Sequence, residues 1–229
     1  MIAPGLPANE PDRLRSLAEH NLLDTLPEEV YDDITRLAAE ICGTPIAAIN
    51  LIAGDRQWSK STHNTQGDSQ GLHQYMRGPR ELSFCAHTIM NPDETMVVPD
   101  ARYDERFMDN PLTTGDPHIV FYAGVPVKDA QDRALGSLCV IDSRPRELPE
   151  YKLESLRALA KLVNTHFQLR RTQIELDKTK ARVDAAQPIL QALTQAINSF
   201  TKESEEEQIV HLQSLQAGVL SLKNALELH

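Results

Sequence analysis

Cysteine and histidine are the residue types in this sequence with the greatest capacity for covalent or metal chemistry, and two of them, Cys85 and His87, lie close together. On a helix, side chains two positions apart point about 200° apart, so these two residues cannot form a catalytic pair by themselves. A zinc site needs four ligands, or three and a water, from a recognisable spacing such as C-x-x-C. The sequence contains no such spacing. We therefore predict no metal site.

The three cysteines, Cys42, Cys85 and Cys139, are an odd number and are widely separated. This distribution argues against a disulfide framework and is typical of a reducing compartment. All three lie in apolar segments rather than beside basic residues, which favours small buried hydrophobes over activated nucleophiles. We therefore predict that the protein is not a thiol enzyme.

Arg106 is a second candidate for chemistry, because Asn110 follows four residues later and Asp104 precedes it closely. One interpretation is a solvated cluster of ion pairs. The other is that Arg106 presents a forked donor to a carboxylate or phosphate on a small ligand, with Phe107 or Tyr122 as an apolar wall. The spacing alone does not decide between these interpretations.

A predicted β-hairpin from Ile119 to Asp142 would hold the centre of the fold. Its two strands are largely apolar on both faces, so we expect them to be central. Gly124 and Gly136 interrupt them, which indicates either a bulge or a close approach to the backbone. The alternation places two sets of residues on one face each: Ile119, Phe121, Ala123, Val125 and Val127 in the first strand, and Leu135, Ser137, Cys139 and Ile141 in the second.

The other elements follow from periodicity, caps and stop signals. Asn50 is the polar exception in an otherwise apolar strand. A long polar segment from Thr62 to Arg80 is predicted to be a functional or mobile loop. The predicted helices are Asn9 to Leu23, Pro27 to Cys42 with Gly43 as its stop, and Ser83 to Met90; the predicted strands are Pro45 to Ala53, Arg56 to Ser61 and Thr95 to Val98.

Charge and hydropathy limit the classes of function. The 229 residues have a formal net charge of −10, which disfavours nucleic acid and anionic membrane surfaces as partners. No apolar run is long enough to span a bilayer, and Met1 to Pro11 lacks the features of a signal peptide. We expect a cytoplasmic protein that binds neither nucleic acid nor membrane.

Several motifs in order resemble a GAF domain, of the bacterial branch found ahead of histidine kinase and diguanylate cyclase modules. The resemblance covers roughly Asn9 to Leu169. It is carried by Ser83-Phe84-Cys85-Ala86-His87, Val98-Pro99-Asp100-Ala101, Arg106-Phe107, Asn110-Pro111-Leu112, Phe121-Tyr122-Ala123-Gly124-Val125-Pro126 and Leu135-Gly136-Ser137-Leu138-Cys139-Val140-Ile141-Asp142. One departure is the segment between Trp58 and Ser83, which is longer than is usual in this branch.

The resemblance implies an α/β/α sandwich with a central antiparallel sheet of about six strands and a ligand pocket on one sheet face. We expect the pocket to be lined by Trp58, Phe84, Cys85, His87, Arg106, Phe107, Asn110, Tyr122 and Cys139. Phytochrome-type GAF domains attach a bilin to a cysteine, but Ala86 rather than histidine follows Cys85, and the other tetrapyrrole-contact motifs are absent. The cyclic-nucleotide signature of phosphodiesterase GAF domains is also absent. The cofactor is therefore left unknown.

A long helical pattern begins at Leu148, and we divide the chain into a sensory domain, residues 1–169, and a helical dimerisation and signalling segment, residues 170–229. Pro188 is expected to kink or restart this helix. The apolar stripes must be covered, either by a helical hairpin within the chain or by a second subunit. The predicted dimerisation residues are Leu169, Leu176, Val183, Leu190, Leu212, Leu215, Val219, Leu222 and Leu226.

These observations predict a sensory or regulatory protein that is not an enzyme. It would bind a small molecule or a protein partner and transmit the bound state through its C-terminal helices in a homodimer, with the output domain absent or on a separate signalling protein. Two alternatives stay open. One is a redox GAF enzyme similar to free methionine-(R)-sulfoxide reductases, and the other is a structural interaction module whose pocket is filled by its own side chains.

Overall fold

A computed structural model of the chain describes residues 1–65, 67, 76–200 and 215–224. The chain forms two compact units, Met1–Arg171 and Thr172–His229. The predicted loop of residues 62–80 falls partly outside the described residues, as do the predicted dimerisation residues Leu212 and Leu226.

The first unit is built on one antiparallel sheet, which has five strands within the described residues. The strands are β1 (Ile46–Ile52), β2 (Gln57–Asn64), β3 (Met96–Val98), β4 (Phe121–Lys128) and β5 (Ala134–Asp142). They lie side by side in the order β2-β1-β5-β4-β3, so the predicted hairpin of β4 and β5 is central and each of its strands has a second neighbour. The predicted antiparallel α/β architecture is confirmed.

Three helices supply the core on one face of the sheet: α1 (Glu10–Glu19), α2 (Glu29–Cys42) and the first part of α5 (Glu150–Phe200). Gly43 ends α2 as predicted, because it adopts φ 69°, a left-handed conformation that glycine reaches without strain. Helix α1 ends earlier than predicted. The chain turns after Glu19, and Asn21 and Asp24 adopt positive φ values of 47° and 59°.

The opposite face of the sheet is covered by short elements. Helix α3 (Phe84–Thr88) begins as predicted at Ser83, whose hydroxyl accepts a 2.9 Å hydrogen bond from the Ala86 amide. Two 3₁₀ turns, Arg80–Leu82 and Ala101–Tyr103, and helix α4 (Pro111–Thr114) complete this layer. The two faces therefore have separate cores, one behind the long helices and one beneath α3.

The face assignment of Leu135 was wrong. Leu135 packs in the core of the long helices, whereas Cys139 and Ile141 pack beneath α3. The cause is an irregularity in the β4–β5 ladder: Val127 pairs with Gly136 but Lys128 pairs with Ala134, which leaves Leu135 as the extra residue. An extra residue of this kind reverses the alternation beyond it.

A buried ion cluster fastens α1 to the segment that precedes α3. The Glu10 carboxylate accepts hydrogen bonds from Arg13 at 2.7 and 2.8 Å and also contacts the guanidinium of Arg80. Arg13 donates in addition to the Ile52 carbonyl at 2.7 Å, at the end of β1. These contacts hold the N-terminal helix against the end of β1, an internal strand of the sheet.

In the second unit, α5 continues without interruption through Pro188 to Phe200, so the helix does not restart there. Residues 215–224 form a further helix, α6. A Cβ atom built on Gly218 would lie 2.6 Å from Cδ2 of Leu193, so α6 packs closely against α5 of the same chain at this point. Within the described residues, no helix is long and apolar enough to cross a membrane.

Candidate functional site

A small internal cavity lies between the sheet and α3. Its volume is about 10 Å³, which corresponds to the room occupied by a single water molecule. It is lined by Asn50, Gln57, Met76, Phe84, Cys85, Leu112, Ile119, Tyr122 and Ile141. We refer to this space as the Tyr122 cavity, because the side chain of Tyr122 forms part of its wall.

Tyr122 lies along its own strand over Gly124. A Cβ atom at position 124 would come within 2.1 Å of the Tyr122 hydroxyl oxygen, so glycine is required for the ring to lie flat there. The hydroxyl group lies 2.7 Å from Oγ1 of Thr88 and 3.2 Å from Oγ of Ser137. It also donates to Sγ of Cys85 at 3.5 Å. The tyrosine therefore forms part of the cavity wall, and its hydroxyl group links α3 to the sheet.

Two thiols meet beside the cavity. Sγ of Cys85, on α3, lies 3.9 Å from Sγ of Cys139, on β5, and both residues are buried. Nδ2 of Asn50 donates toward both sulfurs, at 3.4 and 3.7 Å. Oδ1 of the same Asn50 side chain is buried and has no hydrogen-bond partner among the described residues.

The environment separates the two thiols electrostatically. Burial raises the pKa of Cys85, but the hydrogen bonds from Cys139, Ser137, Tyr122 and Asn50 outweigh burial and lower that pKa to about 6. The hydrogen bond to Cys85 and burial raise the pKa of Cys139 well above its ordinary value. Cys85 is thus the more acidic thiol of the pair.

The structure brings five of the predicted pocket residues together. Phe84, Cys85 and Tyr122 line the cavity, and Cys139 contacts Cys85 behind it. The ring of Phe107 stacks on that of Phe84, with centroids 3.8 Å apart and an interplanar angle of 9°. Phe107 therefore supports the wall rather than lining it.

Trp58 does not belong to this group. It is buried in the core of the long helices, on the opposite face of the sheet. Because side chains alternate along a strand, its neighbour Gln57 points to the cavity instead. Gln57 accepts a 2.5 Å hydrogen bond from Ser83 and donates at 2.9 Å to the Met76 carbonyl.

Arg106, Asn110 and His87 are also placed away from the cavity lining. The guanidinium of Arg106 donates to both carboxylate oxygens of Asp104, at 2.9 and 2.7 Å. Of the two interpretations of Arg106 in the sequence, this contact corresponds to the ion pair. Asn110 caps α4 by accepting from the Leu112 amide at 2.9 Å. Nε2 of His87 lies 3.1 Å from the Ile2 carbonyl oxygen, and burial, followed by the charge of Arg106, lowers the pKa of His87.

Sequence reasoning missed the polar residues that face the cavity and the thiols, chiefly Asn50, Gln57 and Ser137. Asn50 carried a usable signal, because a single amide in a continuously apolar strand must be buried and needs partners. Ser137 carried a similar signal, because it is a polar residue within the apolar sequence of β5. Met76 carried none, since the segment that precedes it has no periodicity.

Two other concave regions lie on the first unit. A groove of about 190 Å³ is lined by Gln57, Arg77, Gly78, Pro79, Leu82, Ser83 and Leu112, and it shares Gln57 and Leu112 with the Tyr122 cavity. We call it the outer groove. A larger one, of about 360 Å³, lies by β3, β4 and α5 and is lined largely by charged side chains such as Lys128 and Arg157. Groups of three or more histidine, cysteine or acidic side chains that could hold a metal ion do not occur within the described residues.

Comparison with known proteins supports the architecture. The family model described as "GAF domain" matches residues 26–167. The GAF domain of PixJ from Thermosynechococcus elongatus, in its blue-light-absorbing form, superposes with a TM-score of 0.50 at 13% identity, over 73% of this chain and 94% of that one. The GAF domain of an Acinetobacter phosphoenolpyruvate-protein phosphotransferase superposes with a TM-score of 0.48 at 18% identity, over 75% of this chain and 97% of that one.

A curated relative bears on catalysis. The chain is 36% identical over 179 residues to a cyclic di-GMP phosphodiesterase of Pseudomonas aeruginosa; the match covers 78% of this chain and 29% of that protein. The prediction that the protein is not an enzyme is contradicted by this relationship, since the relative is named for a catalytic activity. The prediction rested on the apolar surroundings of the cysteines and on the absence of recognised motifs. Neither observation tests whether the chain is related to an enzyme, so the prediction was wrong.

Proposed function

This chain belongs to the GAF domain family, a sensory domain of signalling proteins, and from that premise we propose how it works. It binds a small molecule at the Tyr122 cavity, and its C-terminal helices transmit the bound state within a homodimer. We propose the same division as the sequence suggested, a sensory domain over residues 1–169 and a helical segment over 170–229.

One observation carries this proposal: the strands that line the cavity also support the long helix. Tyr122 and Cys139 lie on the cavity side of β4 and β5, whereas their neighbours Phe121 and Val140 lie in the core that includes α5. In this proposal a ligand that displaces Tyr122 also shifts the strand on which it lies. Because close-packed cores transmit strain, this shift reaches the helix on the other face.

The part of α5 at the end of the first unit is well placed to receive such a shift. Arg170 donates to the carbonyls of His20 and Asn21 at 3.1 and 2.9 Å and to Glu28 at 2.9 Å. Arg171 pairs with Glu19 at 2.6 Å. These contacts hold α5 to the turn after α1 at the last residues of the first unit.

An exposed apolar stripe on α5 supports the dimer. Leu169, Leu176, Val183 and Leu190 recur every seven residues, and between 48% and 59% of each is exposed. The seven-residue period is that of a coiled-coil seam. The predicted contributions of Leu215, Val219 and Leu222 on α6 belong to the same proposal.

We propose cyclic di-GMP hydrolysis as the output that the chain serves, supported by the curated relative. The output domain would lie on the same protein or on a separate signalling protein. A cytoplasmic location belongs to this proposal and is supported by three free, buried thiols.

A second candidate function is an interaction module whose pocket is filled by its own side chains. The observation that favours it is the cavity volume of about 10 Å³, which leaves no room for a metabolite while Tyr122 stays in place. The two candidates differ in whether Tyr122 leaves the cavity, and one experiment separates them.

The experiment measures binding and transmission on the same protein. A small-molecule library is screened by thermal shift against the full chain, and each hit is repeated on Tyr122→Ala and on Tyr103→Ala, an exposed tyrosine that serves as the matched control. We expect the shift to survive in the control and to change in Tyr122→Ala. A nitroxide attached at Lys180→Cys, an exposed position on α5, then reports the distance between protomers with and without the hit.

A hit that stabilises the protein and changes the inter-protomer distance supports the sensory proposal. Stabilisation that is the same in Tyr122→Ala would place the binding site elsewhere. Binding at the cavity without a change in distance would contradict transmission through α5. A library that yields no binder at the cavity would favour the interaction module. Cyclic di-GMP levels in cells that express the wild type or Tyr122→Ala test the proposed output.

A further inference from the structure

The structure places two thiols in contact in a buried polar niche that the ligand-binding proposal does not use. We infer that Cys85 and Cys139 form an oxidisable dithiol that reacts with hydroperoxides and closes to a disulfide. This inference goes beyond the proposed function and does not depend on it, because the pair can be oxidised whether or not the cavity binds a metabolite.

Proximity is the first argument. The two sulfur atoms are 3.9 Å apart although the residues are 54 positions apart in sequence. One thiol lies on the short helix α3 and the other on the central strand β5, so neither strand register nor helix periodicity requires them to meet. Each sulfur needs to move by only about 1 Å to reach the length of a disulfide bond.

Chemical asymmetry is the second argument. An efficient dithiol needs one thiol that ionises readily and attacks the oxidant, and a second that resolves the intermediate. The hydrogen bonds described above lower the pKa of Cys85 to about 6, while that of Cys139 is raised. Cys85 also lines the Tyr122 cavity, whereas Cys139 lies behind it, so an oxidant in the cavity meets Cys85 first. We therefore assign Cys85 as the attacking thiol and Cys139 as the resolving thiol.

The niche also has room and a polar group for a small oxidant. The Tyr122 cavity reaches Cys85 and admits a molecule about the size of water. Asn50 contributes to the lining of this cavity, and its Oδ1 atom is buried and lacks a hydrogen-bond donor among the described residues. Hydrogen peroxide can donate to this oxygen through its O–H groups. It has one oxygen atom more than water, so it enters only if the cavity lining moves slightly.

In this proposal the outer groove is the route to the surface. The linings of the groove and of the cavity have Gln57 and Leu112 in common. Entry past these two side chains into a cavity of about 10 Å³ predicts selection by size. Hydrogen peroxide should pass, and a bulky organic hydroperoxide should be slowed.

The chemistry proceeds in two balanced steps. The Cys85 thiolate attacks one oxygen of the hydroperoxide; the S–O bond forms, the O–O bond breaks, and the second oxygen takes the thiol proton and leaves as water or an alcohol. Cys139 sulfur then attacks the Cys85 sulfenic acid. The S–S bond forms, the S–O bond breaks, and hydroxide leaves as water with the Cys139 proton. The two sulfurs together lose two electrons, and the peroxide gains them.

The experiment uses the full chain with hydrogen peroxide as the probe. After treatment, free thiols are alkylated in denaturant, and the intact mass and the non-reduced peptide map are recorded. We expect the protein to lose the mass of two hydrogen atoms, to retain one alkylatable thiol, Cys42, and to yield a linked peptide that joins Cys85 to Cys139. The map is made on the wild type, so it does not rely on the folding of any variant.

Three variants assign the roles. Cys139→Ser should stop at a sulfenic acid on Cys85 that a dimedone reagent traps, and Cys85→Ser should leave Cys139 reduced. Cys42→Ser is the matched control, since Cys42 is buried, stands apart from the other two thiols, and has a pKa that burial raises to about 11. It should form the disulfide as the wild type does.

Several results would overturn the inference. They are a wild type whose thiols stay reduced in excess peroxide, a disulfide that includes Cys42, and oxygen addition at Cys85 while Cys139 is present and reduced. The size prediction is tested with tert-butyl hydroperoxide. If it oxidises the pair as fast as hydrogen peroxide does, the Tyr122 cavity is not the peroxide site.

Discussion

Glu10 illustrates how one buried side chain can hold two others. Its carboxylate is shared by the guanidinium groups of Arg13 and Arg80, and all three residues are largely buried. Burial raises the pKa of Glu10, but the hydrogen bonds and charges of the two arginines outweigh burial and lower it to about 2. The charged form is therefore strongly preferred in the folded protein.

Neutralising this carboxylate should destabilise the protein markedly. Glu10→Gln keeps the size of the side chain but leaves two buried cations without an anion, which costs about 3 kcal/mol. Asp12→Asn on the same helix is the matched control, because the pair of Asp12 with Arg15 is mostly exposed and contributes little. Urea denaturation of both variants measures the difference. Equal destabilisation by the two substitutions would contradict this role of Glu10.

The lowered pKa of Glu10 also predicts a dependence of stability on pH. Because the folded-state pKa is about 2 against an ordinary value of 4.5, the stabilisation is complete above pH 4.5 and is lost as the pH falls toward 2. This difference between the two pKa values corresponds to about 3 kcal/mol in the free energy of unfolding. Denaturation curves at pH 6 and pH 3, compared between wild type and Glu10→Gln, should show a smaller loss in the variant. A variant that loses as much stability as the wild type would assign the acid sensitivity to other groups.

At the scale of elements, the contact of β5 with β1 requires a glycine. A Cβ atom at position 136 would lie 2.0 Å from the backbone oxygen of Asn50, so the two strands can approach only because Gly136 has no side chain. The irregular pairing of Lys128 with Ala134 immediately precedes this contact. The close approach thus sits where the ladder changes register.

Adding one methyl group at this contact should separate the strands. Gly136→Ala is expected to cost at least about 2 kcal/mol, because backbone atoms cannot move aside as a side chain can. Gly78→Ala is the matched control, since a Cβ atom there meets no atom of the described residues within 4 Å and its φ is not in the left-handed region. Thermal unfolding of the two variants checks the prediction, and a Gly136→Ala protein as stable as the control would show that β1 and β5 separate easily.

At the scale of the whole molecule, the second unit leaves apolar surface exposed. The stripe on α5 is more than half exposed at Leu176 and Val183. The contact of Gly218 with Leu193 shows that α6 already packs against α5 of the same chain, yet the stripe stays uncovered within the described residues. Exposed stripes of this kind are typical of interfaces.

The full chain should therefore be a dimer that depends on this stripe. Leu176→Asp combined with Val183→Asp is expected to give a monomer, because two charges would be buried at the seam. Ala181→Asp, an exposed position on another face of the same helix, is the matched control and should stay dimeric. Sedimentation velocity distinguishes these outcomes. A monomeric wild type, or a dimer formed by a chain truncated after Arg171, would show that the helices of the second unit do not make the interface.

The sequence by itself determined the local elements and the family. Alternation identified the central hairpin, helical periodicity identified α1, α2 and α5, and single residues marked their ends, as Gly43 does for α2 and Ser83 for α3. These signals are local, because caps, turn residues and hydrophobic periods act within a few positions of the chain. Together with the resemblance to GAF domains, they led to the expectation of a pocket on one face of the sheet, and the assignment of Tyr122 to a ligand site stays a prediction.

Only the tertiary structure decided which side chains meet there. The contact of Cys85 with Cys139, the exclusion of Trp58 from the pocket and the pairing of Arg106 with Asp104 all depend on how α3 and the crossing segments lie on the sheet. The extra residue at Leu135 reversed an alternation that the sequence shows as regular. Such contacts join residues far apart in sequence, and their geometry is set by the packing of the whole core, which no local pattern encodes.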